Sequence, residues 1–231
     1  MTGPAPLPAA TARRWRTRRS AAVAGIVFAV LLIVALVAMR VALSAGDVRA
    51  VGTDPQRQAL IRLSLNIVPF AGIAFLWFIG VVRDQLGAVE DRLFSTVFLG
   101  SGLLFLAMLF EGAVVATSLM EMAAGQGLDA GIWAFGRGTT QALITVYAMR
   151  MAAVFTLSVS TVALRTSAMP RWVAFVGVAV AVVLLVSAGE RTWSQFVFPA
   201  WVLLVSVVIL FTRPHGPGVA PADEAGATMR P

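Results

Sequence analysis

Long apolar runs alternate with short charged or Gly/Pro-rich connections, and the alternation occurs six times along the chain. Ala21 to Met39 carries no charge and ends at Arg40, and Leu63 to Val82 is likewise uncharged. Further runs extend from Leu93 to Leu119, Gly138 to Leu164, Trp172 to Gly189 and Thr192 to Thr212. A helix needs about 20 apolar residues to cross the hydrocarbon core. In lipid a segment must satisfy its own backbone, which favours helix. The pattern predicts an all-α, six-transmembrane-helix bundle with spans at about 21–44, 63–82, 93–119, 138–164, 172–189 and 192–212.

The connections carry the expected punctuation. Gly46, Asp47, Gly52, Asp54 and Pro55 mark a polar loop over 45–58. Arg83, Asp84, Gly87, Glu90, Asp91 and Arg92 form a charged turn, in which Gly87 suits a helix stop. Glu90 and Asp91 favour the positive end of the next helix dipole. Residues 121–136 read as a Gly/Ala-rich loop with Trp133 at the interface, and Pro170, Arg171 and Trp172 as a helix-breaking turn. Glu190 and Arg191 make a tight hairpin, and residues 213–231 read as a disordered tail. In the second span Arg62, Asn66 and Pro69 fall at i, i+4 and i+7, on one helix face, and Asn66 or Ser64 is placed to satisfy backbone groups freed by Pro69.

Composition sharpens this reading. The 231 residues are 59% hydrophobic and 13% charged, against about 25% charged in an average soluble domain. There is no cysteine, which excludes disulfides and thiolate chemistry, and the one histidine, His215, lies in the tail. No metal site, cofactor motif or catalytic constellation is legible. Gly100-Ser101-Gly102 lies inside an apolar run and follows no strand, so it is not a nucleotide loop. All basic residues are arginine, the mark of a GC-rich bacterial genome. The net charge of +7 sits at membrane-flanking positions, where orientation and anionic lipid explain it better than nucleic acid.

Residues 1–20 form a basic arm containing Arg13, Arg14, Arg16, Arg18 and Arg19, followed by an apolar run longer than a signal-peptide core. That favours an uncleaved first helix. With the arm inside, eleven arginines are cytoplasmic and six are outside, so both termini are expected in the cytoplasm of a bacterium, with the arm against anionic lipid.

Glu111 and Arg150 are the candidate chemistry, because each lies within an apolar run. Intramembrane charges usually face a bundle interior and a partner. Thr140, Tyr147 and Arg150 fall at i, i+7 and i+10 and predict a polar stripe with Gln141 at its edge. One expectation is a polar site built from Glu111, Arg150, Tyr147, Asn66 and Arg62. The other is a buried Glu111–Arg150 pair that fixes helix packing. Gly177 and Ala181 form a small-xxx-small contact on the fifth span.

The strings WFIGVVRDQLG, EDRLFSTVFLGSGLLFLAMLF and MPRWVAFVG resemble those of multi-spanning membrane proteins from GC-rich, actinobacterial-type bacteria that have no assigned activity. The resemblance covers roughly residues 70–180. It implies the topology and no substrate or catalytic residue. Two functions are therefore carried forward. One is a non-enzymatic membrane component or accessory subunit, with a membrane-protein partner or a homo-oligomer. The other is a small transporter or channel around Glu111 and Arg150.

Overall fold

Because lipid offers the backbone no hydrogen bonds, the apolar runs form helices that continue beyond the hydrocarbon-length segments. The computed structural model describes residues 9–43, 54–86, 92–124, 129–166, 169–187 and 193–211. Its helices are α1 (Ala9–Leu43), α2 (Pro55–Leu86), α3 (Arg92–Ala124), α4 (Ala130–Ala142), α5 (Met149–Thr166), α6 (Arg171–Ser187) and α7 (Val197–Phe211). A π-helical segment, Leu143–Ala148, joins α4 to α5 in one span, and a 3-10 turn, Ser194–Phe196, leads into α7. Among the described residues there is no strand.

Five helical stretches are long and apolar enough to cross a membrane: Ala22–Val41, Pro55–Arg83, Ser95–Ala123, Ala130–Arg165 and Ser194–Phe211. The sixth, Arg171–Ser187, is apolar and has 17 residues. The described residues are thus all-α, with five to six apolar helices able to span a membrane, the make-up of a membrane protein. Two boundaries need correction. The polar loop expected over 45–58 gives way to helix at Pro55, and the loop expected over 121–136 is helical up to Ala124 and again from Ala130. Hydropathy marks what lies in hydrocarbon, whereas helical hydrogen bonding extends past it. The tip of the charged turn (87–91), the Glu190–Arg191 hairpin and the tail (213–231) lie outside the described residues.

The helices pack in chain order around a ring that α7 closes by contacting α1. The centre is aromatic. Phe28 from α1, Phe75 from α2, Phe105 from α3, Phe155 from α5 and Phe198 from α7 are all fully buried. Phe75 is the hub, with ring centroids 4.5 Å from Phe28, 5.2 Å from Phe105, 5.2 Å from Phe155 and 5.8 Å from Phe198. Most of these pairs are tilted or edge-to-face, the arrangement that the ring quadrupole favours. The outer surface carries the complementary set, including Phe70, Trp77, Val114, Phe175 and Val186.

Polar side chains within the spans mostly satisfy themselves locally. Ser101, Thr156 and Ser206 each donate to the carbonyl four residues back. Ser64 is the exception: its hydroxyl donates across to the Ala35 carbonyl at 2.9 Å and ties α2 to α1, rather than serving the backbone near Pro69. Ser64→Ala is expected to cost about 0.6 kcal/mol, the average for an interhelical hydrogen bond in a membrane. Thermal unfolding in detergent reads this, and an unchanged midpoint would remove Ser64 as a tie.

Candidate functional site

Glu111 sits on α3, roughly 24 Å along the axis from Ser95 and roughly 18 Å from Ala123 at 1.5 Å per residue. Arg150 sits at the start of α5, roughly 22 Å from Arg165. Both lie well within apolar helix. Neither is buried, and the two form no salt bridge. The buried Glu111–Arg150 pair expected from the sequence is therefore corrected: both side chains are on the outer surface. Tyr147 (55% exposed), Asn66 and Arg62 are exposed too.

For Tyr147 and Arg150 the physical reason lies in the π segment. Its i→i+5 turns hold more residues than α turns, so each residue advances by a smaller angle. Over Leu143–Ala148 the lag reaches roughly a quarter turn relative to continuous α-helix. Thr140, before the segment, is buried, whereas Tyr147 and Arg150 emerge on the outside. The expected stripe is cut in two.

A different site is built where α1, α2, α3 and α4 meet. A small cleft with about 10 Å³ of space for water, room for about one molecule, is lined by Met39, Ile61, Ala116, Leu119, Met120, Trp133, Arg137 and Thr140. Its phase is set by the start of α4. The Asp129 carboxylate accepts from the Gly131 and Ile132 amides at 2.7 and 3.3 Å, which caps the helix. Four, eight and eleven residues on, Trp133, Arg137 and Thr140 then share one face. Gly136 lets that face approach α3, since a methyl there would stand 2.7 Å from Leu119 Cδ1.

Trp133 and Thr140 are 5% and 4% exposed, yet Trp133 Nε1 and Thr140 Oγ1 have no hydrogen-bond partner. Arg137, half-buried between them, has no carboxylate partner among the described residues. The three side chains share one face of α4 beside an apolar cleft, with the indole nitrogen and the hydroxyl oxygen closed off from solvent. Sequence reading missed it by placing Trp133 in a loop; the signal was the 133, 137, 140 spacing behind an Asp N-cap. Among the described residues no group of His, Cys, Asp and Glu is arranged to hold a metal.

Comparison with protein-family models, curated proteins and solved structures finds no match.

Proposed function

We propose that this chain is a non-enzymatic component of the bacterial cytoplasmic membrane that works by lateral self-assembly, with Glu111 and Arg150 forming intermolecular pairs between two copies. The observation that carries it is that two opposite charges stand on the outer surface, deep within apolar helix, without an ion-pair partner among the described residues. An unpaired charge in mid-hydrocarbon costs about 2.5–3.5 kcal/mol on insertion scales. A second copy offsets that cost, because one surface carries both signs and a two-fold interface pairs each residue with the other twice.

The helix register supports the pairing. Gly112 adjoins Leu143 and Ile144, so Arg150 stands roughly 9 Å further along the adjacent helix than Glu111. Two extended side chains of these types span that offset. The transporter reading receives less support, because five fully buried phenylalanine rings occupy the bundle axis.

Charge reversal separates pairing between chains from pairing within one. Glu111→Arg and Arg150→Glu, each expressed alone with distinct tags, should run as monomers by light scattering in mild detergent. Mixed together they should co-purify as a dimer, since each copy then supplies the sign that the other lacks. Pairing within one chain gives no rescue on mixing. A monomeric wild type, or mixed variants that stay apart, would sink the proposal.

A further inference from the structure

We propose that the outward side of α1, formed by Val23, Val27, Val30, Val34, Val37 and Val41, is a self-association seam on which α1 of a second copy packs in parallel. The inference does not depend on pairing of Glu111 with Arg150, which lie on α3 and α5.

Spacing sets the first constraint. These six are all the valines of α1, and the intervals between them alternate four and three, the a/d spacing of a coiled-coil seam. At about 100° per residue they fall within an arc of roughly 80°, narrower than the face of an ordinary amphipathic helix. From Ala22 to Met39 the exposed residues are Val23, Val27, Val30, Val34 and Val37, and all the others are buried or half-buried. Helices α2 and α7 cover most of the remainder of α1. What is left open is a single row of valines.

Side-chain chemistry sets the second. Lipid accepts any apolar surface, and the open face of α2 is accordingly mixed, with Leu63, Phe70, Ile73, Leu76 and Trp77 exposed. The open row on α1 is one residue type. A helical valine holds one χ1 rotamer about 90% of the time, so packing it against a neighbour costs little side-chain entropy. Helices in lipid associate through van der Waals packing rather than a hydrophobic drive, and a pre-ordered ridge favours such packing.

The occupant follows from symmetry and area. Irregular backbone is not tolerated against lipid in the hydrocarbon region, so another helix or lipid itself covers the seam. Between Val23 and Val37 the row exposes no polar side chain that would select a foreign partner. Copies inserted in one orientation hold each valine at one depth, so a two-fold axis along the membrane normal lays the seam against itself in register. The valines are 41–56% exposed, which offers on the order of 300 Å² per copy, against about 800 Å² per partner in a stable soluble complex. The seam is therefore a weak contact that forms in the plane of a bilayer and separates on dilution into micelles. Where Glu111 and Arg150 pair as well, each copy has two interfaces on different helices and assembles into rows; that consequence alone rests on their pairing.

The chain has no cysteine, so single cysteines report on the seam without background. The test uses the purified full chain in phosphatidylcholine/phosphatidylglycerol liposomes at a fixed protein-to-lipid ratio. On oxidation, Val30→Cys and Val34→Cys should give about fivefold more disulfide-linked dimer than Ile73→Cys, an exposed control on α2. Adding Val27→Ala and Val37→Ala to Val34→Cys should bring its yield down to the control, with the thermal midpoint near wild type because both positions are exposed. The Val34→Cys yield should persist when Glu111→Gln and Arg150→Gln are added. Equal yields at Val34 and Ile73 would overturn the seam and leave ordinary lipid against α1. Loss of the cross-link in the charge-neutral background would overturn it too, by showing that the seam has no affinity of its own. A cross-link that persists while the charge-reversed variants fail to associate would keep the seam and sink the pairing instead.

Discussion

Phe75→Ala should lower the stability of the whole bundle by about 2–3 kcal/mol, read as a several-degree fall in the thermal midpoint in detergent. Phe75 is fully buried and is the ring around which those of α1, α3, α5 and α7 assemble. The magnitude differs from that of a soluble core for a physical reason. The displaced ring is already in an apolar solvent when the helices separate, so little transfer free energy is lost. What remains is the cavity, roughly 100 Å³ at about 24 cal/mol per Å³. Each helix facing that void loses dispersion contacts that lipid cannot enter to replace. Phe70→Ala on the same helix provides the contrast, because Phe70 is 64% exposed to lipid and its loss should be nearly neutral. Equal effects at the two positions would show that the hub supplies no cohesion.

The second large effect is expected at Gly177. α6 meets α5 and α7 so closely there that a methyl group would overlap Ser160 Oγ and stand 2.9 Å from Trp201 Nε1. Both neighbours are buried, and neither polar atom has a hydrogen-bond partner. Alanine ordinarily improves a helix by about 1 kcal/mol over glycine. Here Gly177→Ala should instead destabilise by about 1–3 kcal/mol through overpacking, and Gly177→Leu should prevent α6 from docking. Ser160→Ala removes the overlapping atom, so the double variant Gly177→Ala/Ser160→Ala should recover part of the loss. That non-additivity is expected only of residues in contact. Gly80→Ala is the control, since nothing lies within 4 Å of a methyl at that position. Destabilisation by Gly80→Ala, or none by Gly177→Ala, would contradict the packing described.

Much of the fold is legible in the sequence because one force writes it. Lipid selects runs of about 20 apolar residues, and each of the six runs coincides with helix. The ends are less legible: hydropathy places the second span at Leu63, whereas α2 starts at Pro55. Glu111 and Arg150 were identifiable as unusual from position alone, but their direction was not. Leu143-Ile-Thr-Val-Tyr-Ala148 has no proline or glycine to announce a π segment, and without it a fixed 3.6-residue period turns Arg150 to the wrong face. The phenylalanine hub was hidden because meeting at one depth is a property of register between helices, which no single run records. The contact of Gly177 with α5 and α7 was half visible, as a small residue four before Ala181.

The ring of helices has a consequence for how the chain comes to be made. Phe198 touches Phe28, Phe75, Phe105 and Phe155, yet it lies on α7, the last of these helices to leave the ribosome. Until α7 enters the membrane, the four earlier rings surround an unfilled place, and the flank of α1 that α7 covers remains open to lipid. Helix α1 therefore waits for α7, and a biosynthetic intermediate halted after α6 is a five-sided bundle with a missing wall. Quality-control proteases that sense laterally exposed membrane helices would meet their substrate at that moment, before the aromatic centre closes.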